Sequence, residues 1–267
     1  MSSYETPQKS IEIIKTSARN HRVVNKNKIF IIVALVCFFA AAAAIAIHFL
    51  SGNPVIAAAI SPGKTSSSES ADETENALED KLIVVDAGHG GFDPGTVGVT
   101  GSEEDGINLK VAGYLKEKLE SFGAKVIMTR SDENAIADTK DADMAKRRQI
   151  ITDSESDIVV SIHMNSFSDS GVSGPLVIFM EGSSKGEQLA KSIQQSVLEV
   201  LKPVQENSAR SGDLYILRSG QQPCVIIECG YLSNEKEEQL LMQDDYQKEV
   251  ADAICCGVNQ YFLSDRE

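Results

Sequence analysis

Tryptophan is absent from this 267-residue chain, aromatic residues make up only 6% of it, and histidine occurs four times. Positive charge is also scarce: 25 Lys and Arg stand against 39 Asp and Glu, a net −14. A nucleic-acid binder shows the opposite balance, so no nucleic acid is expected as partner. There is no C-x-x-C pair, which removes the usual thiolate zinc modules. No self-similarity at 20 to 50 residues is visible, which excludes solenoids and propellers. The glycine-dense run VVDAGHGGFDPG, residues 84–95, fails as a phosphate loop. Gly88 and Gly90 open a dinucleotide-like spacing, but Asp93 takes the third glycine place and Pro94 follows; the Gly-Lys-Ser/Thr ending of a P-loop is also missing. A histidine on so bare a backbone fits a metal ligand instead.

What is present divides the chain into four. Residues 1–28 carry six Lys/Arg and two Glu, which makes them a cytoplasmic basic N-terminus by the positive-inside bias. Residues 29–50 hold no formal charge with His48 neutral, and are long enough to span a bilayer as a transmembrane helix or signal-anchor. The alternative is a cleaved signal peptide, with Ala57-Ala58-Ala59 as cleavage site and a secreted product. Residues 51–80 read as a flexible acidic, Ser-rich linker that cannot offset its ordering entropy; about 30 such residues reach roughly 30 Å. Residues 81–267 form the globular part, expected outside the cytoplasm. Without residues 1–50 the chain has 19 basic against 37 acidic residues, a net −18.

Apolar runs at 82–86, 125–128, 157–162, 174–179 and 223–227 read as buried strands, and helical patterns fall at about 106–121, 140–153, 186–201 and 236–262. Apolar strands alternating with helices predict an α/β fold, a mostly parallel sheet with helices on both faces. Chemistry in such sheets collects beyond the carboxyl ends of the strands. Three of those ends read DAGHGG with His89, SIHMNS with His163 and IIECGYLSN with Glu228. Each histidine alone is explained as a satisfied or turn residue. Both at one sheet edge, with an acid closing a third strand, point to a site. Two histidines, a carboxylate and an open position make a catalytic zinc set, and glycines 88, 90 and 91 would let backbone and substrate approach the first histidine.

The order VVDAGHGGFDPG…EEDGINL…SIHMNS…ECGYLSN resembles the zinc-dependent N-acetylmuramoyl-L-alanine amidases that remodel bacterial peptidoglycan, over residues 82 to about 263. The resemblance implies that His89, one Glu of the EED stretch and His163 hold one Zn2+, and that Glu228 is the catalytic acid/base. It implies a peptidoglycan substrate cut between N-acetylmuramic acid and L-alanine. Arg147 falls where the family usually carries an arginine. Ala87 stands where the family often has Pro, and Gly106 where it has a helix-compatible residue; neither removes a ligand. The 64 residues between His163 and Glu228 are already taken up by one strand, one helix and a loop, so the helical plug some relatives carry is not expected.

On a helical wheel with Val111 at zero, Ile107, Leu115, Phe122, Tyr114 and Leu119 define the buried arc. Glu104 falls in its middle, Glu103 at its edge and Asp105 outside, so Glu104 is the expected third ligand. Counting back from INL in the family pattern selects the same residue.

Cysteine supplies a competing chemistry. Cys37 lies in the 29–50 segment, Cys224 and Cys229 sit roughly 16 Å apart along one strand, beyond disulfide reach, and Cys255 and Cys256 are adjacent. All are expected as buried thiols. The alternatives to a zinc hydrolase are a thiol hydrolase built on Cys229 and a non-catalytic, membrane-held glycan-binding domain.

Overall fold

Leu82–Ala87 (β1) is apolar except for Asp86, and its side chains from Ile83 onward are buried on both faces, as a central parallel strand requires. The computed structural model describes residues 76–266. The anchor segment 29–50, the basic N-terminus 1–28 and nearly all of the 51–80 linker lie outside the described residues. Among the described residues no helix is long and apolar enough to cross a membrane.

Among the described residues, six strands form one sheet in the order β2-β1-β3-β6-β4-β5. Lys125–Met128 (β2), Ile158–Asn165 (β3) and Cys224–Tyr231 (β6) run parallel with β1. Leu176–Met180 (β4) is antiparallel to β6 and parallel to the edge strand Arg210–Gly212 (β5). The mostly parallel expectation holds, with the reversal at β4. β5 had no apolar run to announce it.

Among the described residues, five α-helices cover the sheet: Glu104–Ser121 (α1), Lys140–Asp153 (α2), Ser184–Leu201 (α3), Glu235–Leu241 (α4) and Asp244–Ser264 (α5). α1, α3 and α5 pack with Ile83, Val85, Val160, Ile162, Val225 and Ile227 into the larger core. Ile151 of α2 and the short 3-10 turn Ile216–Arg218 cover the other face, over Val84, Val159, Ile178 and Ile226. The single helix expected over 236–262 is two helices. α4 ends at Leu241, and Asp244 and Asp245 open α5 as first-turn acids that suit the helix dipole.

In this register Ala87 lies beside Ile162, and His163 beside Glu228. The ends of β1, β3 and β6 therefore meet at one point of the sheet edge.

Candidate metal centre

His89 leaves β1 at φ 62, a left-handed conformation uncommon for a non-glycine residue. Paired main-chain hydrogen bonds between Gly90 and Asp93, 2.9 and 3.1 Å, close the turn around it. The Asp93 carboxylate lies 3.0 Å from His89 Nδ1, which turns Nε2 towards Glu104 Oε1 at 3.4 Å. A carboxylate on the far ring nitrogen is the usual support for a metal-bound imidazole.

Glu104 opens α1 and is only 2% exposed, whereas Glu103 is exposed and Asp105 half-buried. Its Oε2 accepts from Thr96 N at 2.8 Å; its Oε1 accepts from Met164 N at 3.0 Å and Asn108 Nδ2 at 3.1 Å. His163 Nδ1 stands 2.9 Å from the same Oε1. Burial opposes ionisation of Glu104, but hydrogen bonds with His163 and His89 outweigh it and hold the carboxyl far below its ordinary range. Burial likewise opposes charge on His89, and is outweighed by Glu104 and then Asp93, which raise its pKa.

His89, Glu104 and His163 each offer one ligand atom, and these atoms all lie within 4.8 Å of one another. Two imidazole nitrogens and one carboxylate oxygen suit zinc. The donor set, its spacing and the outer carboxylate of Asp93 thus fit the implied ion.

Glu228 is beside this trio and outside it. Its Oε2 is buried with no hydrogen-bond partner among the described residues, and burial raises its pKa. It lines a cleft of about 290 Å³ together with His89, His163, Phe92, Met144, Tyr215 and Ile226. An unpartnered buried carboxylate oxygen is costly unless something in the cleft engages it. Cys229, the next residue, points into the core on the other face; burial pushes its thiol far up, which disfavours the thiolate a nucleophile needs. Cys224, Cys229 and Cys255 are buried free thiols, but Cys256 is exposed, contrary to expectation.

The loop glycines make room for close packing at the site. A Cβ at Gly88 would strike the His163 ring, one at Gly95 would strike Glu104 and His89, and one at Gly91 would meet Ala135 N at 2.7 Å. They let the ligand side chains and the neighbouring loop close in.

Arg147 acquires a role. It is 1% exposed, paired with Asp86 at 2.7 Å and Asp143 at 2.6 Å, and it donates to Ala87 O at 2.6 Å and His89 O at 2.5 Å. Asp86 is also capped by Thr129 Oγ1 and Ser161 Oγ, both at 2.6 Å. Asp86, Asp93 and Arg130 escaped the sequence reading; an acid within the apolar run LIVVD was the available signal for the first.

The comparisons agree with this geometry. The profile of the N-acetylmuramoyl-L-alanine amidase family (Amidase_3) matches residues 83–260. The germination-specific N-acetylmuramoyl-L-alanine amidase of Bacillus subtilis is 33% identical over 193 residues, covering 69% of this chain and 81% of the relative. A probable cell wall amidase, LytH, of Staphylococcus saprophyticus is 34% identical over 198 residues, covering 72% of this chain and 62% of the relative. The CwlD amidase of Clostridioides difficile, solved in complex with the GerS lipoprotein, superposes with a TM-score of 0.66 at 35% identity, over 70% of this chain and all of that one. With a family profile spanning nearly the whole described domain and the paired strand ends in place, this chain belongs to the N-acetylmuramoyl-L-alanine amidase family.

Proposed function

We propose that this chain is a zinc-dependent hydrolase of the amide joining N-acetylmuramic acid to L-alanine in peptidoglycan, acting in cell-wall remodelling. The observation that carries the proposal is the placement of the unpartnered Glu228 Oε2 in the cleft that His89 and His163 also line. His89, Glu104 and His163 would hold the ion. Zinc, when bound, acidifies water and polarises a carbonyl.

Hydrolysis joins the water oxygen to the lactyl carbonyl carbon and breaks the bond from that carbon to the L-alanine nitrogen. Glu228 takes the proton from the attacking water and delivers it to the leaving nitrogen. Its pKa, raised by burial, suits both halves of that shuttle. Glu104, tied down by Thr96 N, Met164 N and Asn108, stays ionised as a ligand. The two carboxylates thus divide their roles by environment.

The 29–50 segment makes a membrane anchor, with the catalytic domain outside the cytoplasm, the favoured placement; secretion after signal cleavage is the alternative. Digesting purified peptidoglycan with the zinc-loaded chain and analysing the soluble products by mass spectrometry tests the function. Free stem peptides beginning with L-alanine are expected. Release of muropeptides with intact lactyl amides, or of nothing, overturns it.

A further inference from the structure

Arg130 follows β2 and is 3% exposed, and its four hydrogen bonds all go to main-chain carbonyls. Nε donates to Ala87 O and Nη1 to Asp132 O, each at 2.9 Å. Nη2 donates to Gly88 O at 2.9 Å and to Asp105 O at 2.7 Å. Gly88 immediately precedes His89, and Asp105 immediately follows Glu104. One nitrogen therefore ties the loop that carries one metal-site residue to the helix turn that carries another.

Burying a guanidinium against neutral carbonyls is costly compared with leaving it in water. Arg147, beneath the same loop, faces the carboxylates of Asp86 and Asp143 and already grips Ala87 O and His89 O. What Arg130 adds is a tie to the first turn of α1 at Asp105 O, beside the bond that Asn108 Nδ2, one turn further along α1, makes to Gly88 O at 3.1 Å. The planar fork of a guanidinium can serve diverging carbonyls at once, which a lysine ammonium in the same place cannot reproduce.

We propose that Arg130 is a positioning residue of the metal centre, setting the separation of His89 from Glu104 and thereby the affinity for zinc. The proposal rests on the zinc reading of this site. Charge acts in the opposite direction: a cation near the site repels the ion, so removing charge alone would tighten binding. The sign of the change separates the two effects.

The test uses the full chain as wild type, Arg130→Lys, Arg130→Met and His89→Ala. Zinc affinity is measured by competition with a chromophoric chelator, ligand geometry by the visible spectrum of the Co2+ form, and folding by melting of the metal-free proteins. Arg130→Lys and Arg130→Met are expected to bind zinc about 10–100-fold more weakly. Their Co2+ spectra should change while the metal-free melting points stay within a few degrees of wild type. Unchanged or tighter binding in Arg130→Lys overturns the proposal. So does loss of the metal-free fold in both variants, which would make Arg130 a residue of the fold and not of the centre. A wild type that binds no zinc, or a His89→Ala that binds it normally, removes the zinc reading itself and the role of Arg130 with it.

Discussion

Gly88 stands so close to the His163 imidazole that a Cβ built on it would lie 2.3 Å from Cε1 and 2.4 Å from Nε2. Its φ is not positive, so the requirement is for space and not for backbone freedom. Gly88→Ala should leave the sheet intact and push the ring out of line. Because a displacement of about 1 Å can cost a factor of 100 in rate, activity is expected to fall by about two orders of magnitude with little change in far-UV circular dichroism. Wild-type turnover in Gly88→Ala would show that the ring has room to retreat.

The three adjacent acids at the start of α1 allow a sharp test of the ligand set. Glu104 is buried on His163 and His89, Glu103 is the exposed residue before the helix, and Asp105 contributes its main chain to Arg130. His89→Ala, Glu104→Ala and His163→Ala should each lose stoichiometric zinc, measured by atomic absorption after dialysis. Glu103→Ala and Asp105→Ala should retain it. Metal retained by Glu104→Ala would move the third ligand elsewhere.

How much of this was legible before folding differs by residue. His89, His163 and Glu228 follow apolar strands, and strand ends are where parallel sheets gather polar chemistry, so their convergence could be read in one dimension. Glu104 was legible from helical phase, since its burial follows the arc of Val111 and Leu115. Arg130 was not, because it is buried by how loops fold over the strand ends, which no period encodes; Asp86 left a signal, an acid inside an apolar strand, but nothing in the run names Arg147, Thr129 and Ser161 as its partners. β5, whose three residues Arg210–Gly212 carry no large apolar side chain, left no pattern either. The break between α4 and α5 was hidden because apolar residues keep helical spacing across it.

Glu228 is assigned proton transfer without metal ligation, and the two roles separate by substitution. Glu228→Gln preserves shape and removes the basic oxygen. Zinc content should remain one per chain while turnover on peptidoglycan falls by a factor on the order of 100 or more. A variant that lost zinc in parallel with activity would make Glu228 a fourth ligand.

The thiol mechanism predicts a different sensitivity. Among the described residues only Cys256 is exposed, and burial pushes Cys255 up to about 12 and Cys224 and Cys229 further still. Brief treatment of the native protein with a maleimide should label Cys256 ahead of these three, by peptide mapping, and leave hydrolysis unchanged, whereas chelation should abolish it. Inactivation that tracks labelling of Cys229 would restore the thiol reading.

Glu238 ties the loop preceding Glu104 to α4. It is fully buried and accepts from Thr100 N and Oγ1 and from Ser102 N and Oγ at 2.6 to 3.3 Å. Burial works against its charge, but these donors outweigh it and hold its pKa below the ordinary 4.5. A lowered carboxyl binds fewer protons in the folded than in the unfolded chain, so its contribution is fully present above 4.5 and fades as pH falls through the folded value. Hydrogen bonds to a buried charge contribute about 2 kcal/mol. Glu238→Gln, which turns an all-acceptor group into one with two unwanted donors, should therefore melt well below wild type at pH 7. The gap should narrow steadily below pH 4.5 as the wild-type carboxyl takes up its proton. Melting curves of both proteins between pH 7 and pH 3 decide it. A gap that stays constant, or widens in acid, would mean that packing against Gly98, and not charge, is what Glu238 provides.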